Sequence, residues 1–344
     1  MADLDIPPLF ADNPHLVGRV ARIALGTFPT RVQRLKNLEK RLGFKSLWIK
    51  RDDQSGTLHG GNKVRKLEYL LAGLNRGKGQ SVLAYGPVAS NWTLACAIYA
   101  RFLEIPVRLL LFRMKGVPGK KEAEELSREL SAEVEILTSP VLLPFRLLSH
   151  LLTRSPGNRC VIMPPGGTSS KSILGYVDAY LELKRQVSSG LLPMPDVIVL
   201  PMGTGGTAAG LAAGVVFTGG STKVIGVRVA SSFVSNAFLA GALANRALRF
   251  VARDRGSHTR VTREVLQVDS SCYGPGYGRA TTAGEEAAKL MGGEEGLILD
   301  TTYTAKAAAL LVDRAGEGWG RGLNVLFWHT LNSVPLERVR EAFS

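Results

Sequence analysis

Short apolar runs alternate along the chain with longer segments in which apolar residues recur at helical spacing. The short runs predict strands at residues 47–50, 81–85, 107–112, 134–137, 197–201 and 223–229. The longer segments predict helices at residues 62–74, 91–103, 122–130, 172–187 and 207–217. This alternation is typical of an α/β protein with parallel sheets and helices on both faces.

Composition and charge set the class of protein. The chain has 344 residues, of which 45% are hydrophobic and 21% charged, so it is a globular chain long enough for two domains. Basic residues, which give a net charge of +14, concentrate at 31–41 and 246–263. The first cluster contains apolar residues near helical spacing, Val32, Leu35, Leu38 and Leu42. We therefore expect an amphipathic helix with a solvated basic face and no nucleic-acid partner.

Three further features bear on location. Residues 1–10 lack the basic and apolar regions of a signal peptide, and the apolar stretch at 141–152 is short and contains Arg146. The cysteines are odd in number and widely spaced, at positions 96, 160 and 272, which predicts neither a disulfide framework nor a zinc site. We expect a cytoplasmic protein without a membrane segment or a metal.

One lysine stands out at the start of the helix predicted at 62–74. Gly60 and Gly61 permit a sharp turn, Asn62 is a good N-cap, and Lys63 follows. Four leucines share the face of Lys63 at helical spacing, Leu67, Leu70, Leu71 and Leu74. Three charged neighbours fall on other faces, Arg65, Lys66 and Glu68.

Lys63 is thus the basic residue of this segment that we expect to point inward. Burial and a helix N-terminus lower the pKa of an amine, which makes it a nucleophile for an aldehyde. The alternative is that the Lys63 side chain extends to the surface.

A glycine-rich turn follows the apolar run at 197–200. Its residues are Gly203, Thr204, Gly205, Gly206 and Thr207, and a predicted helix begins there. Backbone N–H groups and threonine hydroxyls in such a turn bind phosphate. The turn has neither the Walker spacing nor the dinucleotide pattern, and glycines also serve tight turns for structural reasons alone.

Other candidate residues lie at strand ends or helix starts. Ser90 precedes a predicted helix, where it is an N-cap or, with the helix start, a site for a substrate carboxylate. Tyr277 and Tyr303 are candidates for proton transfer, and Thr330 for a hydrogen bond to a ring nitrogen. We expect Trp92 and His329 to be structural core residues.

Taken together, these segments resemble the D-cysteine desulfhydrases and 1-aminocyclopropane-1-carboxylate (ACC) deaminases, which are fold type II pyridoxal phosphate enzymes. The resemblance runs from about residue 51 to 330, and the stretch at 60–68 is its most specific part. It implies that Lys63 binds pyridoxal 5′-phosphate as a Schiff base. Residues 203–207 match the phosphate loop of the family. Ser90 and Asn91 match a pair that handles substrate and cofactor.

The resemblance also assigns the remaining site residues. It implies that Lys63, Ser90, Tyr277 and Tyr303 are catalytic. It implies that Thr330 faces the pyridine nitrogen, and we add Asn62 and Asn91 to the cofactor-binding set. In the architecture that it implies, a small domain of residues 60–172 is inserted into a large one made of 1–59 and 173–344. The cofactor lies in the cleft between them, and the protein is a homodimer.

The chain departs from the family pattern at three places. Ser90 and Asn91 are flanked by Ala89 and Trp92 instead of a glutamine and a histidine. A Gly-Gly pair after Thr330 is replaced by Leu331 and Asn332. Thr304 stands where the deaminase branch has a glutamate, which points to the desulfhydrase branch.

The expected reaction is β-elimination of D-cysteine, or of a related small amino acid, to pyruvate, ammonia and sulfide. The altered residues leave alternatives open. These are ring-opening deamination, β-replacement or racemisation on the same cofactor, and a cofactor-binding protein that does not catalyse a reaction.

Overall fold

The computed structural model describes residues 6–74, 79–88, 90–117, 119, 121–131, 133–152, 159–251 and 260–344. Ala89, one of the positions that depart from the family pattern, lies outside the described residues. The strands are β1 (Val32–Arg34), β2 (Ser46–Lys50), β3 (Gln80–Pro87), β4 (Val107–Phe112), β5 (Glu133–Leu137), β6 (Arg159–Ile162), β7 (Val197–Met202), β8 (Lys223–Arg228), β9 (Leu266–Asp269) and β10 (Asn324–Trp328). The helices are α1 (Pro8–Ala11), α2 (Lys36–Leu42), α3 (Val64–Leu70), α4 (Asn91–Phe102), α5 (Lys121–Leu130), α6 (Leu143–Leu152), α7 (Leu174–Ser188), α8 (Gly206–Phe217), α9 (Ala237–Val251), α10 (Thr282–Glu295), α11 (Thr304–Gly316) and α12 (Leu336–Phe343).

The hydrophobic pattern predicted the positions of these strands and helices well. Every strand and helix that it predicts is present, although the helix predicted at 62–74 is shorter. The prediction of one amphipathic helix through 31–42 is wrong at its start. Residues Val32–Arg34 form β1, because they pair antiparallel with β2 at the edge of a sheet, and only Lys36–Leu42 is helical.

The strands form two sheets. The larger has the order β1-β2-β10-β7-β8-β9 and is parallel except at β1. The smaller has the order β5-β4-β3-β6 and is parallel throughout. The prediction of an α/β fold with parallel sheets is confirmed.

Helices cover both faces of the larger sheet. On β7, Ile198 and Leu200 pack into the apolar cluster formed with α7, α8 and α9. Val197 and Val199, which alternate with them, pack into the cluster formed with α2, α10 and α11. Burial on both faces explains why this strand is a continuous apolar run.

Helix α3 joins the two sheets. Val64 and Leu67 belong to the apolar cluster of the smaller sheet, whereas Tyr69 belongs to that of the larger one. The domain boundaries at residues 60 and 172 stay a prediction. Among the described residues, no helix is long and apolar enough to cross a bilayer.

Candidate active site

A cleft of about 390 Å³ lies where the carboxyl ends of strands from both sheets meet. The structure brings every site residue predicted from the sequence to its walls. These are Asn62, Lys63, Ser90, Asn91, Gly203, Thr204, Gly205, Gly206, Thr207, Tyr277, Tyr303 and Thr330. Ligands of α/β proteins bind at this edge of the sheet, because the loops after the strands converge there.

Lys63 lies on the cleft wall, directly before α3. The turn that precedes it is fixed by glycine: Gly61 has φ +83°, and a Cβ there would lie 2.7 Å from the Thr330 carbonyl oxygen. The Asn62 N–H donates to the same carbonyl at 3.1 Å. Burial lowers the pKa of the Lys63 amine to about 8, and the negative charge of Asp300 opposes part of this shift. The side chain is half-buried and accessible from the cleft, and with this pKa about a tenth of the amines are neutral at pH 7, far more than for an ordinary lysine.

The prediction that Asn62 caps α3 is wrong. The helix begins at Val64, and Lys63 precedes it without a side-chain cap. The Asn62 side-chain amide instead donates to the Thr207 hydroxyl at 3.0 Å. This bond connects the lysine loop directly with the start of α8.

The expectation that Lys63 alone among the basic residues of its segment points inward is also wrong, because its charged neighbours are buried too. Arg65, Lys66 and Glu68 are all at most 2% exposed. Because α3 lies between the two sheets, it is buried on every side. Arg65 forms ion pairs with Asp52 and Glu182, each at 3.0 Å, and Glu68 pairs with Arg22 at 2.9 Å.

Lys66 is a cleft residue that sequence reasoning missed. Its ammonium donates to the Gly166 carbonyl at 3.2 Å and to the Thr168 hydroxyl at 3.3 Å. Burial, together with the nearby Lys63, lowers its pKa well below the usual value. The signal was present in the sequence, because residues three positions apart on a helix are neighbours.

The glycine-rich turn forms a cradle below Lys66. Gly205 has φ +77° and precedes α8, whose first N–H groups have no carbonyl partner within the helix. A Cβ at Gly206 would lie 3.0 Å from the Lys66 Nζ and 2.6 Å from the Thr168 hydroxyl. The Thr168 and Thr204 hydroxyls are 2.7 Å apart. Helix N–H groups, hydroxyls and an ammonium converge here, as a phosphate monoester requires.

Ser90 is the N-cap of α4, which confirms that interpretation. Its hydroxyl oxygen accepts the Trp92 N–H at 3.2 Å. The helix start also lines the cleft, so its positive end favours a carboxylate there. Trp92 is buried, as expected, and a Cβ at Gly167 would lie 2.5 Å from its ring.

Tyr277 and Tyr303 meet through their hydroxyl groups at 2.5 Å. Burial raises the pKa of both. The hydrogen bond with Tyr303 opposes this rise at Tyr277, whereas Tyr277 raises the pKa of Tyr303 further. The two hydroxyls form one hydrogen-bonded pair on the cleft wall.

Asp300 is a second cleft residue that the sequence did not single out as a site residue. Its carboxylate accepts hydrogen bonds from the N–H groups of Thr302, Tyr303 and Thr304. The Thr304 hydroxyl donates to the same carboxylate at 2.8 Å, and Thr304 is fully buried. The residue at the position of the deaminase glutamate thus supports Asp300 and the start of α11.

The turn after β10 closes the cleft. His329 is 2% exposed, and its Nε2 lies 3.9 Å from an Asp53 carboxylate oxygen, in agreement with a structural role. Leu331 lines the cleft. Asn332 does not act as a pocket residue: its side-chain oxygen accepts the Gly60 N–H at 2.6 Å and so holds the lysine loop.

Comparisons with known proteins agree with this geometry. The family described as "Pyridoxal-phosphate dependent enzyme" matches residues 23–330. A putative ACC deaminase of Thermotoga maritima is 32% identical, over 90% of this chain and 95% of that protein. The D-cysteine desulfhydrase of Salmonella choleraesuis is 30% identical, over 87% of this chain and 90% of that protein.

Solved structures give the same result. The crystal structure of an ACC deaminase homologue superposes with a TM-score of 0.77 at 30% identity, and the match covers 94% of both chains. Threonine deaminase isoform 2 of Solanum lycopersicum shares the fold at 16% identity, with a TM-score of 0.61 over 97% of this chain and 90% of that one.

Proposed function

The chain belongs to the pyridoxal-phosphate-dependent enzymes, and on that premise we propose that it catalyses β-elimination from a β-thio amino acid such as D-cysteine. Its cofactor is pyridoxal 5′-phosphate. The observation that carries the proposal is the Lys63 amine, whose pKa burial lowers to about 8, in a cleft with a phosphate cradle and a tyrosine pair.

The residues present fit the cofactor. Lys63 would hold it covalently, and the turn at 203–207 with Lys66 would bind its phosphate. We assign Asn62 and Asn91 to its flanks and the Thr330 hydroxyl to the pyridine nitrogen. Asp300, whose carboxylate is already held by neighbouring N–H groups, keeps a fixed negative charge near Lys63.

The substrate binds with its carboxylate at the start of α4. Ser90 and the free N–H groups of that helix supply donors for it. When bound, the cofactor withdraws the electron pair that remains on the α-carbon after the proton has left. The Lys63 amine, on the cleft wall and with a lowered pKa, would take that proton.

The tyrosine pair supports the departure of the sulfur. As the bond between the β-carbon and sulfur breaks, the electron pair leaves with sulfur. Tyr277 donates a proton to the sulfur and is reprotonated through Tyr303, to which its hydroxyl is hydrogen-bonded. The released enamine takes up water and yields pyruvate and ammonium, so no oxidant or reductant is needed.

The similar proteins include both a desulfhydrase and putative ACC deaminases, and one observation favours elimination over ring-opening deamination. Thr304 places a buried hydroxyl where the deaminase branch has a glutamate. A site without that carboxylate suits elimination, which requires less stabilisation of negative charge on the α-carbon.

The test is product identity. Cofactor-loaded protein is incubated separately with D-cysteine, L-cysteine, D-serine and ACC, and pyruvate, 2-oxobutyrate, sulfide and ammonia are measured. Pyruvate and sulfide in equal amounts from a cysteine enantiomer are expected. 2-Oxobutyrate from ACC without sulfide from either cysteine would replace this proposal with the deaminase reaction.

The proposal extends to assembly and location. A homodimer would cover exposed aromatic side chains such as Phe233 and Phe238, which are 89% and 82% exposed. Sedimentation equilibrium tests this, with a monomer as the contrary result. A cytoplasmic location accords with the buried thiol of Cys96, and cell fractionation tests it.

A further inference from the structure

The smaller sheet has an apolar face that does not end at the sheet edge. Under α6, Leu83, Leu110 and Leu137 form a small buried cluster. Tyr85 follows Leu83 by two positions on β3, and Phe112 follows Leu110 by two positions on β4, so both continue the same face.

Tyr85, Phe112 and Leu143 form what we call the apolar wall. All three pack against the cluster beneath α6, and all three line the cleft. Each is only partly buried, so part of its surface faces the cleft. The apolar interior of the smaller sheet therefore opens directly into the active site.

Charged partners for a substrate side chain are lacking on the described cleft walls. The charged residues there are Lys63, Lys66 and Asp300. The two lysines serve the cofactor in the proposed function. The Asp300 carboxylate already accepts from three N–H groups and one hydroxyl. A charged substituent on the substrate would lose its hydration without gaining an ion pair.

The other described residues of the cleft lining carry no charge, and several are apolar. Met114, Val234 and Leu331 add further apolar surface to the cleft. Lys63 and the glycine-rich turn would hold the cofactor, and the α4 start would hold the substrate carboxylate, so the wall is left for the substituent on the β-carbon. Burial of an apolar group against such a surface is favourable in proportion to the area removed from water.

We propose that the natural substrate carries an apolar alkyl or aryl group on its sulfur. This inference rests on the proposed function for the amino acid and the elimination, and adds the identity of the sulfur substituent. In the reaction the α-proton leaves, the bond between the β-carbon and sulfur breaks with its electron pair on sulfur, and the thiolate gains a proton. Water then converts the released enamine to pyruvate and ammonium.

The first experiment compares S-benzylcysteine with cysteine, each in both enantiomers, on the cofactor-loaded enzyme. Pyruvate formation is expected to show a kcat/KM at least about tenfold higher for the better S-benzyl enantiomer than for cysteine. Leu143→Asp should lower the ratio of the S-benzyl kcat/KM to the cysteine kcat/KM about tenfold. Leu148→Asp is the matched control, since Leu148 lies on the same helix, is 53% exposed and is not part of the cleft lining.

The second experiment measures binding without turnover. Phenylalanine and alanine have no leaving group on the β-carbon, so perturbation of the cofactor absorption gives their Kd values. Phenylalanine is expected to bind about tenfold more tightly, and Leu143→Asp to abolish the difference.

The two experiments separate the two claims. Cysteine preferred over its S-benzyl derivative, with phenylalanine no tighter than alanine, would overturn the apolar substituent and leave elimination intact. Tight phenylalanine binding without pyruvate from any thio amino acid would support the apolar site and overturn the elimination.

Discussion

The hydroxyl groups of Tyr277 and Tyr303 lie 2.5 Å apart in the cleft, although 26 positions separate the residues along the chain. The rings meet edge to face, with centroids 5.9 Å apart. This hydrogen bond links the loop after β9 with the start of α11. The pair can pass a proton because each hydroxyl both donates and accepts.

Tyr277→Phe should lower kcat for elimination by roughly 10²-fold or more, because it removes the hydroxyl that protonates the departing sulfur. The affinity for cofactor should be unchanged. Tyr273→Phe, which removes another tyrosine hydroxyl of the cleft lining, is the control and should affect kcat much less. Equal losses in the two variants would contradict the role of the pair.

Cofactor capture should depend on pH through Lys63. The neutral amine is the nucleophile, and its pKa is lowered to about 8, so the rate of reconstitution from apoprotein should rise with pH through that value. Asp300→Asn removes the charge that opposes the shift and should move the midpoint lower. Stopped-flow absorbance gives the rates. A midpoint near the ordinary lysine value of about 10.4 would show that Lys63 is not held as described.

Lys66→Met should weaken binding of pyridoxal phosphate by about tenfold to a hundredfold, because a charge-assisted hydrogen bond to the phosphate is lost. Inorganic phosphate should compete less well in the variant. Lys171→Met, which changes an exposed lysine, is the control. Unchanged affinity would remove Lys66 from the phosphate site.

Arg65→Met should lower the free energy of unfolding by about 3–5 kcal/mol, since Asp52 and Glu182 are left buried with too little positive charge. Lys50, which pairs with Glu182 at 2.5 Å, cannot compensate both. Urea unfolding measures the change. Arg185→Ala breaks an exposed pair with Asp12 and should cost little. A loss of unfolding free energy no larger than in that control would show that the ion pairs of Arg65 with Asp52 and Glu182 do not stabilise the fold.

Two buried groups should give opposite dependences of stability on pH. Burial lowers the pKa of His59 to about 4, so unfolding takes up a proton and stability is lost as pH falls from about 6.5. Burial raises the pKa of Asp178 to about 6, so stability is lost as pH rises from about 3.8 to about 6.

Urea titrations between pH 4 and 6.5 test these signs. The stability of wild type relative to His59→Gln should increase with pH, by about 3 kcal/mol over the window. Relative to Asp178→Asn it should decrease with pH. The same sign in both comparisons would contradict the opposite pKa shifts of His59 and Asp178.

Much of the fold could be predicted because strands buried on both faces are continuous apolar runs. Strand β7 and the helix after it were located in this way. Short or weakly apolar elements escaped. Strand β9 has four residues, and α10 buries mainly Ala287 and Met291 in a polar sequence. In the second basic cluster, 246–263, α9 extends to Val251, and residues 252–259 lie outside the described part.

The site was predictable where chemistry is local to a motif. Lys63 and residues 203–207 are recognisable because glycines adjoin a lysine or a helix start. Lys66 and Asp300 act through contacts that only the tertiary structure creates. Tyr85 and Phe112 look like ordinary strand residues until the position of α6 shows that their surface opens into the cleft.

The most direct test of the central claim asks which lysine holds the cofactor. Cofactor-loaded protein is treated with sodium borohydride, which fixes an imine-bound cofactor permanently to its lysine, and the peptides are mapped by mass spectrometry. Lys63 and Lys66 lie three positions apart, both line the cleft, and both have a lowered pKa, so each is the internal control for the other. The account predicts the label on Lys63 alone; a label on Lys66, or on neither lysine of cofactor-saturated protein, would contradict it.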